Sequence, residues 1–503
     1  MAMIPSFEAF ERGWAQGENQ LVHARLAADL DTPVSLMLKL AEAQPMSFML
    51  ESVTGGEVRG RYSVVGLKPD VIWECRGESS RINRQARFDA EAFEDLPGHP
   101  LATLRALIAE TRIAMPAGIP AIAAGLFGYL GYDMIRLVER LPNVKPDPIG
   151  VPDAVLMRPT IIAVLDGVKG EVTVCSPAWV ASGLSARAAY AQAAERVMDA
   201  VRDLERSAPG ETRSLGDAAP VGPLVSNFTP ERYKAAVERA KDYIRAGDIF
   251  QVVPSQRWTA DFTLPPFALY RSLRRTNPSP FLTFFNFGDF HIVGASPEIL
   301  VRLRGGEVTI RPIAGTRPRG RTPEEDKALE ADLLADRKEL AEHLMLLDLG
   351  RNDVGRVAKI GSVHPTEKFI IERYSHVMHI VSNVVGEIRD DQDALSALLA
   401  GLPAGTVSGA PKVRAMEIID ELEPEKRGIY GGGVGYFAAN GEMDMCIALR
   451  TAVVKNGKLY IQAGGGVVYD SDPEAEFQET VNKSKALKAA AEEAGLFVRR
   501  GNG

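Results

Sequence analysis

The amino-acid sequence predicts a large, layered α+β protein. Short β-like runs and amphipathic helical segments interleave irregularly, without the regular strand–helix–strand beat of a barrel or a doubly wound sheet. The 503 residues are enough for two large domains or roughly three or four smaller ones. A hydrophobic fraction of 46% beside 25% charged residues belongs to a chain that buries a core, which excludes wholesale disorder or a fibrous repeat.

The elements follow in order. The start, MAMIPSFEAFERGWAQ, carries acids early and no apolar core of a secretory signal. RYSVVGL, VIWEC and PTIIAVLDG read as strands, the last closing on an Asp-Gly turn. The alanine-rich stretch 184–206 is helical and completes a first region, 1–206. Residues 207–225, built around SAPGETRSLGDAAPVGP, read as a linker. A second region, 226–495, opens with a helix that Thr229 caps, Pro230 starts and Gly247 stops. A strand DIFQVVPSQRW, a helix over 266–275 and the strands FLTFFNFG, HIVGAS and EILVRL come next. The stretch 312–323 reads as turns, 323–350 as one long helix, and further helices follow, one beginning near Gly409. A β-rich block over 430–469 precedes a helix opening at Pro473.

Composition narrows the function classes. Lys and Arg number 58 and Asp and Glu 66, a net charge of −8, which argues against a nucleic-acid or anionic-membrane binder. Cys75, Cys175 and Cys446 form no CxxC pair, so neither a disulfide framework nor a cysteine zinc site is expected, and a cytoplasmic setting fits. The apolar run 121–135 is broken by Gly125, Gly128, Gly131 and Asp133. It falls short of the roughly 20 residues a membrane span needs.

Several residues could carry chemistry. The glycine clusters at 428–437 and 462–470 lack a complete GxGxxG pattern and read as leading into more strand, so close approach of a strand or ligand to backbone is expected rather than a nucleotide loop. Arg450 stands in MCIALRTAVV, a strand-like apolar run; a guanidinium there wants a planar carboxylate or phosphate, or else an internal salt bridge. Glu339 and Glu342 are spaced i, i+3, as are Glu476 and Glu479, with Lys483 four residues further on. Separately each pair suits a solvated helix face; converging, they would suit Mg²⁺, which binds through one or two carboxylates plus an anionic substrate. Seven histidines without an HExxH motif disfavour a zinc hydrolase, and His379 reads as either an acid–base group or a satisfied core imidazole.

Taken together, GDIFQVVPSQ, NPSPF, GASPE, RPIAGTRPRG, KELAEHLMLLDLGRNDVGRV, ERYSHVMHIVS, PAGTVSGAPKVRAMEIIDELEP, YGGGVGYF, CIALRTAV and QAGGGVVYDSDPEAEFQET run in order through 226–490. This array resembles the chorismate-utilising enzymes, in their anthranilate synthase component I branch, and FMLESV in the first region is similar to that branch's tryptophan-binding signature. The resemblance implies an α/β structure of α+β type, a two-layer antiparallel β-sandwich flanked by helices with the active site in a cleft. It implies that Gly315, Thr316, Tyr430, Arg450, Gly464 and Gly466 contact chorismate, that Glu342 and Glu479 hold Mg²⁺ with Glu476 beside them, and that Glu298 and His379 transfer protons. It places L-tryptophan, as feedback inhibitor, at Ser52 with Pro280, Phe281 and Leu282. The family's relatives that attack the ring with lysine, or activate water with one, carry it where this chain has Ala314 and Gln251, so ammonia is the nucleophile implied. The chain shows no amidotransferase motif, so the ammonia is expected from a separate glutamine amidotransferase subunit, in a cytoplasmic heterotetramer that commits chorismate to tryptophan. A non-catalytic binding protein of the same fold would be expected to lack the acid or the metal carboxylates; Glu298, Glu342, Glu479 and His379 are all present.

Overall fold

Alternation of side chains along long strands sets the architecture. The computed structural model of the chain describes residues 2–41, 44–51, 61–207, 221–374 and 377–498. In the strand Tyr62–Arg76, Val64 and Ile72 point to one core while Val65, Leu67, Val71 and Trp73 point away from it, as a period of two requires. The core facing Val64 and Ile72 is built mostly from strand residues, among them Phe48, Phe127, Tyr129, Phe285 and Ile292. Phe48 stacks on Phe127 and Phe285 at 4.5 and 5.4 Å between ring centres. This is the filling between two β-layers.

Helices cover the outer faces. Pro33–Leu40, Ala186–Glu205, Pro266–Thr276 and Pro473–Glu493 bury their apolar stripes against one. Pro100–Glu110, Arg337–Gly355 and Ala394–Gly401 do so against the other. Every strand ladder recorded among the described residues is antiparallel, so the α+β sandwich expected from the sequence is the observed fold. Strands from early and late in the chain share one network. Ser47–Glu51 pairs with Phe281–Asn286, and Gly125–Leu130 with Gly433–Ala438. No helix among the described residues is long and apolar enough to cross a membrane.

Four local expectations are corrected. The stretch 312–323 is not all turn: Ile313–Pro318 is a strand, bulged at Gly315, whose φ of +69° suits a residue without Cβ. The long helix is two, Pro323–Ala335 and Arg337–Gly355, because Asp336 adopts extended backbone and its carboxylate accepts from the Lys338 and Glu339 N–H groups, capping the second. Between that helix and Ala394–Gly401 lie two strands, His364–Arg373 and Val377–Glu387, rather than further helices. Arg450 is not inside a strand. It sits at a bend between Met443–Ile447 and Thr451–Lys455 with φ +48°.

Candidate active site

The second glycine cluster forms one wall. Strand Lys458–Gly464 pairs with Ser255–Asp261 and ends at Gly464. The run then leaves the sheet and reaches helix Pro473–Glu493, so it does not continue as strand as its sequence suggests. A Cβ at 464 would stand 2.9 Å from the Pro254 carbonyl and 3.0 Å from the Tyr430 hydroxyl oxygen. A Cβ at 465 would meet Glu476 Oε2 at 3.1 Å, and one at 466 would meet Gln251 Nε2 at 2.6 Å. A side chain at 464 would press on a main-chain carbonyl, and at 465 and 466 on the polar ends of Glu476 and Gln251, so this turn lies close against its neighbours. The Gly464 N–H also donates to Tyr430, whose phenol burial pushes up to about 12.

The acidic helices converge on this wall. Gln251 Nε2 donates to Glu342 Oε1 at 3.0 Å. Burial raises the Glu342 carboxyl and the charge of Glu479 raises it further, against the Gln251 bond and the cations Lys338 and Lys483. Burial also raises Glu476, again with Glu479 adding, and its Oε2 is buried without a partner. Glu479 itself is exposed and pairs with Lys483 at 2.6 Å, while Lys483 also donates to the Gly464 carbonyl at 3.0 Å. Among the described residues no three His, Cys, Asp or Glu side chains form a preformed metal cage. Mg²⁺ does not need one, since waters and substrate oxygens complete its octahedron. An orphaned buried carboxylate oxygen beside a second carboxyl destabilised by burial is a donor set that fits such a cation.

The bulged strand forms the facing wall. His379 lies opposite Thr316 in the ladder, and its Nδ1 is 3.0 Å from the Gly315 carbonyl and 3.1 Å from Thr316 Oγ1. A carbonyl only accepts, which assigns the proton to Nδ1 and leaves Nε2 as the open, basic nitrogen. Burial holds the imidazole pKa below its usual value, with Arg450 and Lys483 adding to the effect against the Gly315 bond, so the ring is neutral at physiological pH. Arg450, half-buried, has no carboxylate partner among the described residues; burial lowers its pKa and Tyr374 opposes the shift. Tyr374 meets the His379 ring edge-on at 5.4 Å. An unpaired, partly desolvated guanidinium is a receptor for a planar anion.

Glu298 occupies its own recess. It is buried, and Thr406 Oγ1, on the turn Gly405–Val407, lies 3.2 Å from both carboxyl oxygens. Burial pushes the carboxyl up to about 8, against the Thr406 bond and the Ile313 N–H. It therefore keeps its proton at neutral pH and can act as an acid.

A cavity of about 360 Å³ lies where the early and late strands meet, lined among others by Leu50, Glu51, Pro280, Phe281 and Leu282. It is of small-ligand size, for which about 300–1,000 Å³ is usual. The Glu51 carboxylate is engaged through one oxygen, accepting from the Tyr270 hydroxyl and from Arg274 Nε at 2.6 Å, while Oε2 is buried without a partner. Ser52 lies outside the described residues. Sequence reasoning misses Thr406, Tyr374 and Lys483 as site residues. Thr406 and Tyr374 stand inside the quoted PAGTVSG and ERYSHVMHIVS segments and Lys483 stands four residues after Glu479, which are the available signals; what each touches at the site follows only from tertiary contacts.

A half-buried Arg450 with no carboxylate partner among the described residues, glutamates gathered at the 464–466 turn and a buried carboxyl at Glu298 are groups that an enzyme acting on a small anion would use. The chorismate binding enzyme family model matches residues 68–489. Anthranilate synthase component 1 of Cereibacter sphaeroides is 80% identical over 99% of this chain and 100% of its own length. That of Pseudomonas putida is 51% identical over 95% of this chain and 97% of its own. The solved structure of anthranilate synthase component I from Streptococcus pneumoniae superposes with a TM-score of 0.77 at 39% identity, covering 92% of this chain and 98% of that one. The chain belongs to the chorismate binding enzyme family, in its anthranilate synthase component 1 branch.

Proposed function

We propose that the chain converts chorismate and ammonia into anthranilate, pyruvate and water, as the large component of an anthranilate synthase. The observation that carries this reading is the buried Glu298 carboxyl in a recess it shares with Thr406, whose hydroxyl lies 3.2 Å from both carboxyl oxygens. Ammonia adds at C2 of the ring and the C4 hydroxyl leaves as water, taking its proton from Glu298. His379, neutral and open at Nε2, then accepts the C2 proton as the ring aromatises and the enolpyruvyl group departs as pyruvate. Arg450 meets one substrate carboxylate through its planar fork, beside Gly315 and Thr316, while the glycines at 464 and 466 and the Tyr430 hydroxyl line the other wall. Glu342, Glu476 and Glu479 would hold Mg²⁺, which when bound neutralises charge on the substrate's other carboxylate.

The absence of a lysine at positions 251 and 314 supports ammonia over water or an enzyme amine as nucleophile; Gln251 is instead engaged with Glu342. The ammonia comes from a glutamine amidotransferase on a second chain, in keeping with the component 1 names of the relatives. L-Tryptophan, end product of the pathway this reaction commits to, occupies the cavity at Pro280–Leu282, its ammonium directed to the Glu51 carboxylate. The test is direct: purified chain with chorismate, Mg²⁺ and ammonium at mildly alkaline pH should develop anthranilate fluorescence. No fluorescence without ammonium or without Mg²⁺ is expected; its absence in the complete mixture would refute the reading.

A further inference from the structure

Beneath the candidate site lies a buried guanidinium with no part in the chemistry above. Arg427 is 3% exposed and sits between the rings of Tyr132 and Tyr430, 4.7 and 5.5 Å from their centres. Its Nε and Nη2 engage Glu423, which is equally buried, at 3.0 and 2.6 Å. Its remaining donors go to main-chain carbonyls: Nη1 to Val407 at 2.5 Å and Nη2 to Val253 at 2.6 Å. Glu423 in turn accepts from the Ser255 N–H and hydroxyl at 2.7 and 2.8 Å.

Each carbonyl belongs to a segment that touches the site. Val407 closes the turn whose Thr406 faces Glu298. Val253 precedes Pro254 and Ser255, against which Gly464 packs and pairs. The Tyr430 ring faces the guanidinium, and its hydroxyl takes the Gly464 N–H. Three segments far apart in sequence thus converge on one rigid, planar donor set, and a lysine could not reproduce that fork.

We propose that Arg427 is a positioning residue: by bridging the Val407 and Val253 carbonyls it holds Thr406 against Glu298 and, through the same plane, holds Gly464 and Tyr430 at the substrate wall. The proposal rests on the reading of Glu298 as the acid. Burying an ion pair is in itself a weak source of stability, and apolar replacement of both partners is often neutral. What the pair supplies here is registry between the acid and the ring-binding wall.

The test is a double-mutant cycle on kcat with chorismate, Mg²⁺ and ammonium, using Arg427→Lys, Thr406→Val and the double variant. Arg427→Lys should lower kcat at least about tenfold with a smaller change in chorismate KM, and the double variant should lose clearly less than the product of the two single losses, since the two variants share the route through Thr406 to Glu298. Effects that multiply, or an Arg427→Lys kcat near wild type, would overturn the proposal. The pair Arg427→Met with Glu423→Gln removes both buried charges and guards against loss of fold. It should keep a cooperative melt and lose the same turnover, and a folded pair variant with wild-type kcat would also overturn it. Wild-type protein that makes no anthranilate would instead refute the function proposed above, so the two failures are distinguishable.

Discussion

Replacing Glu298 with Gln should cost activity and gain stability together. The side chain keeps its size but loses its acidic proton, and a general acid contributes about a hundred- to ten-thousand-fold in rate, so kcat should fall within that range. Stability moves the other way. The folded carboxyl titrates at about 8, against 4.5 for an ordinary glutamate. Between these values the folded chain holds a proton that the unfolded chain has released. Stability in the wild type therefore falls as pH rises from 4.5 towards 8. At about 1.4 kcal/mol per pH unit, the interval from 4.5 to pH 7 amounts to about 3 kcal/mol, a loss that the Glu298→Gln variant escapes. Urea denaturation of both proteins at pH 5 and pH 8 would show the gap widening in favour of the variant at the higher pH. A gap that does not change with pH, or a kcat within about tenfold of wild type, would refute the argument that burial makes Glu298 an acid.

Other consequences can be checked separately. Glu342→Gln or Glu476→Gln should abolish turnover at any Mg²⁺ concentration while leaving the melting transition in place; near-normal rates at saturating Mg²⁺ would remove that residue from the metal site. Arg450→Lys keeps charge but loses the planar fork, and losing a charge-assisted hydrogen bond, worth about 1.5–3 kcal/mol, should raise chorismate KM about tenfold or more. An unchanged KM would make Arg450 structural. Phe281→Ala removes an aromatic wall of the 360 Å³ cavity; the lost burial, about 1.5–3 kcal/mol, should weaken tryptophan inhibition at least about tenfold and spare turnover without tryptophan. Inhibition at the wild-type concentration would place the regulator elsewhere.

Local signals are legible where they act locally. Thr229 and Pro230 start their helix as read, the threonine hydroxyl accepting from Arg232, and Asp472 caps the helix opening at Pro473. Ile313–Pro318 is hidden in the sequence because Gly315 bulges it and its side chains alternate only weakly between core and solvent. His364–Arg373 has no fully buried residue, so no period-two stripe marks it as a strand. The acidic pairs are visible in their spacing, since helix geometry follows from sequence, but their meeting is not. Glu342 reaches Gln251 across 91 positions, and the acidity of Glu298 depends on packing by segments a hundred residues away. Nothing in the sequence marks the left-handed backbone of Arg450. An arginine held at φ +48° stores about 1 kcal/mol or more, a strain that the surrounding packing sustains.

The proposed reaction joins ammonia to chorismate with Glu298 as the acid. Isotopically labelled ammonium, chorismate and Mg²⁺ incubated with the purified chain, followed by mass analysis, test it most directly. The expected products are anthranilate carrying the labelled nitrogen and one pyruvate for each anthranilate, with neither formed by Glu298→Gln above about a hundredth of the wild-type rate. Unlabelled product, a hydroxylated isomer of chorismate, or equal yield from the variant would contradict it.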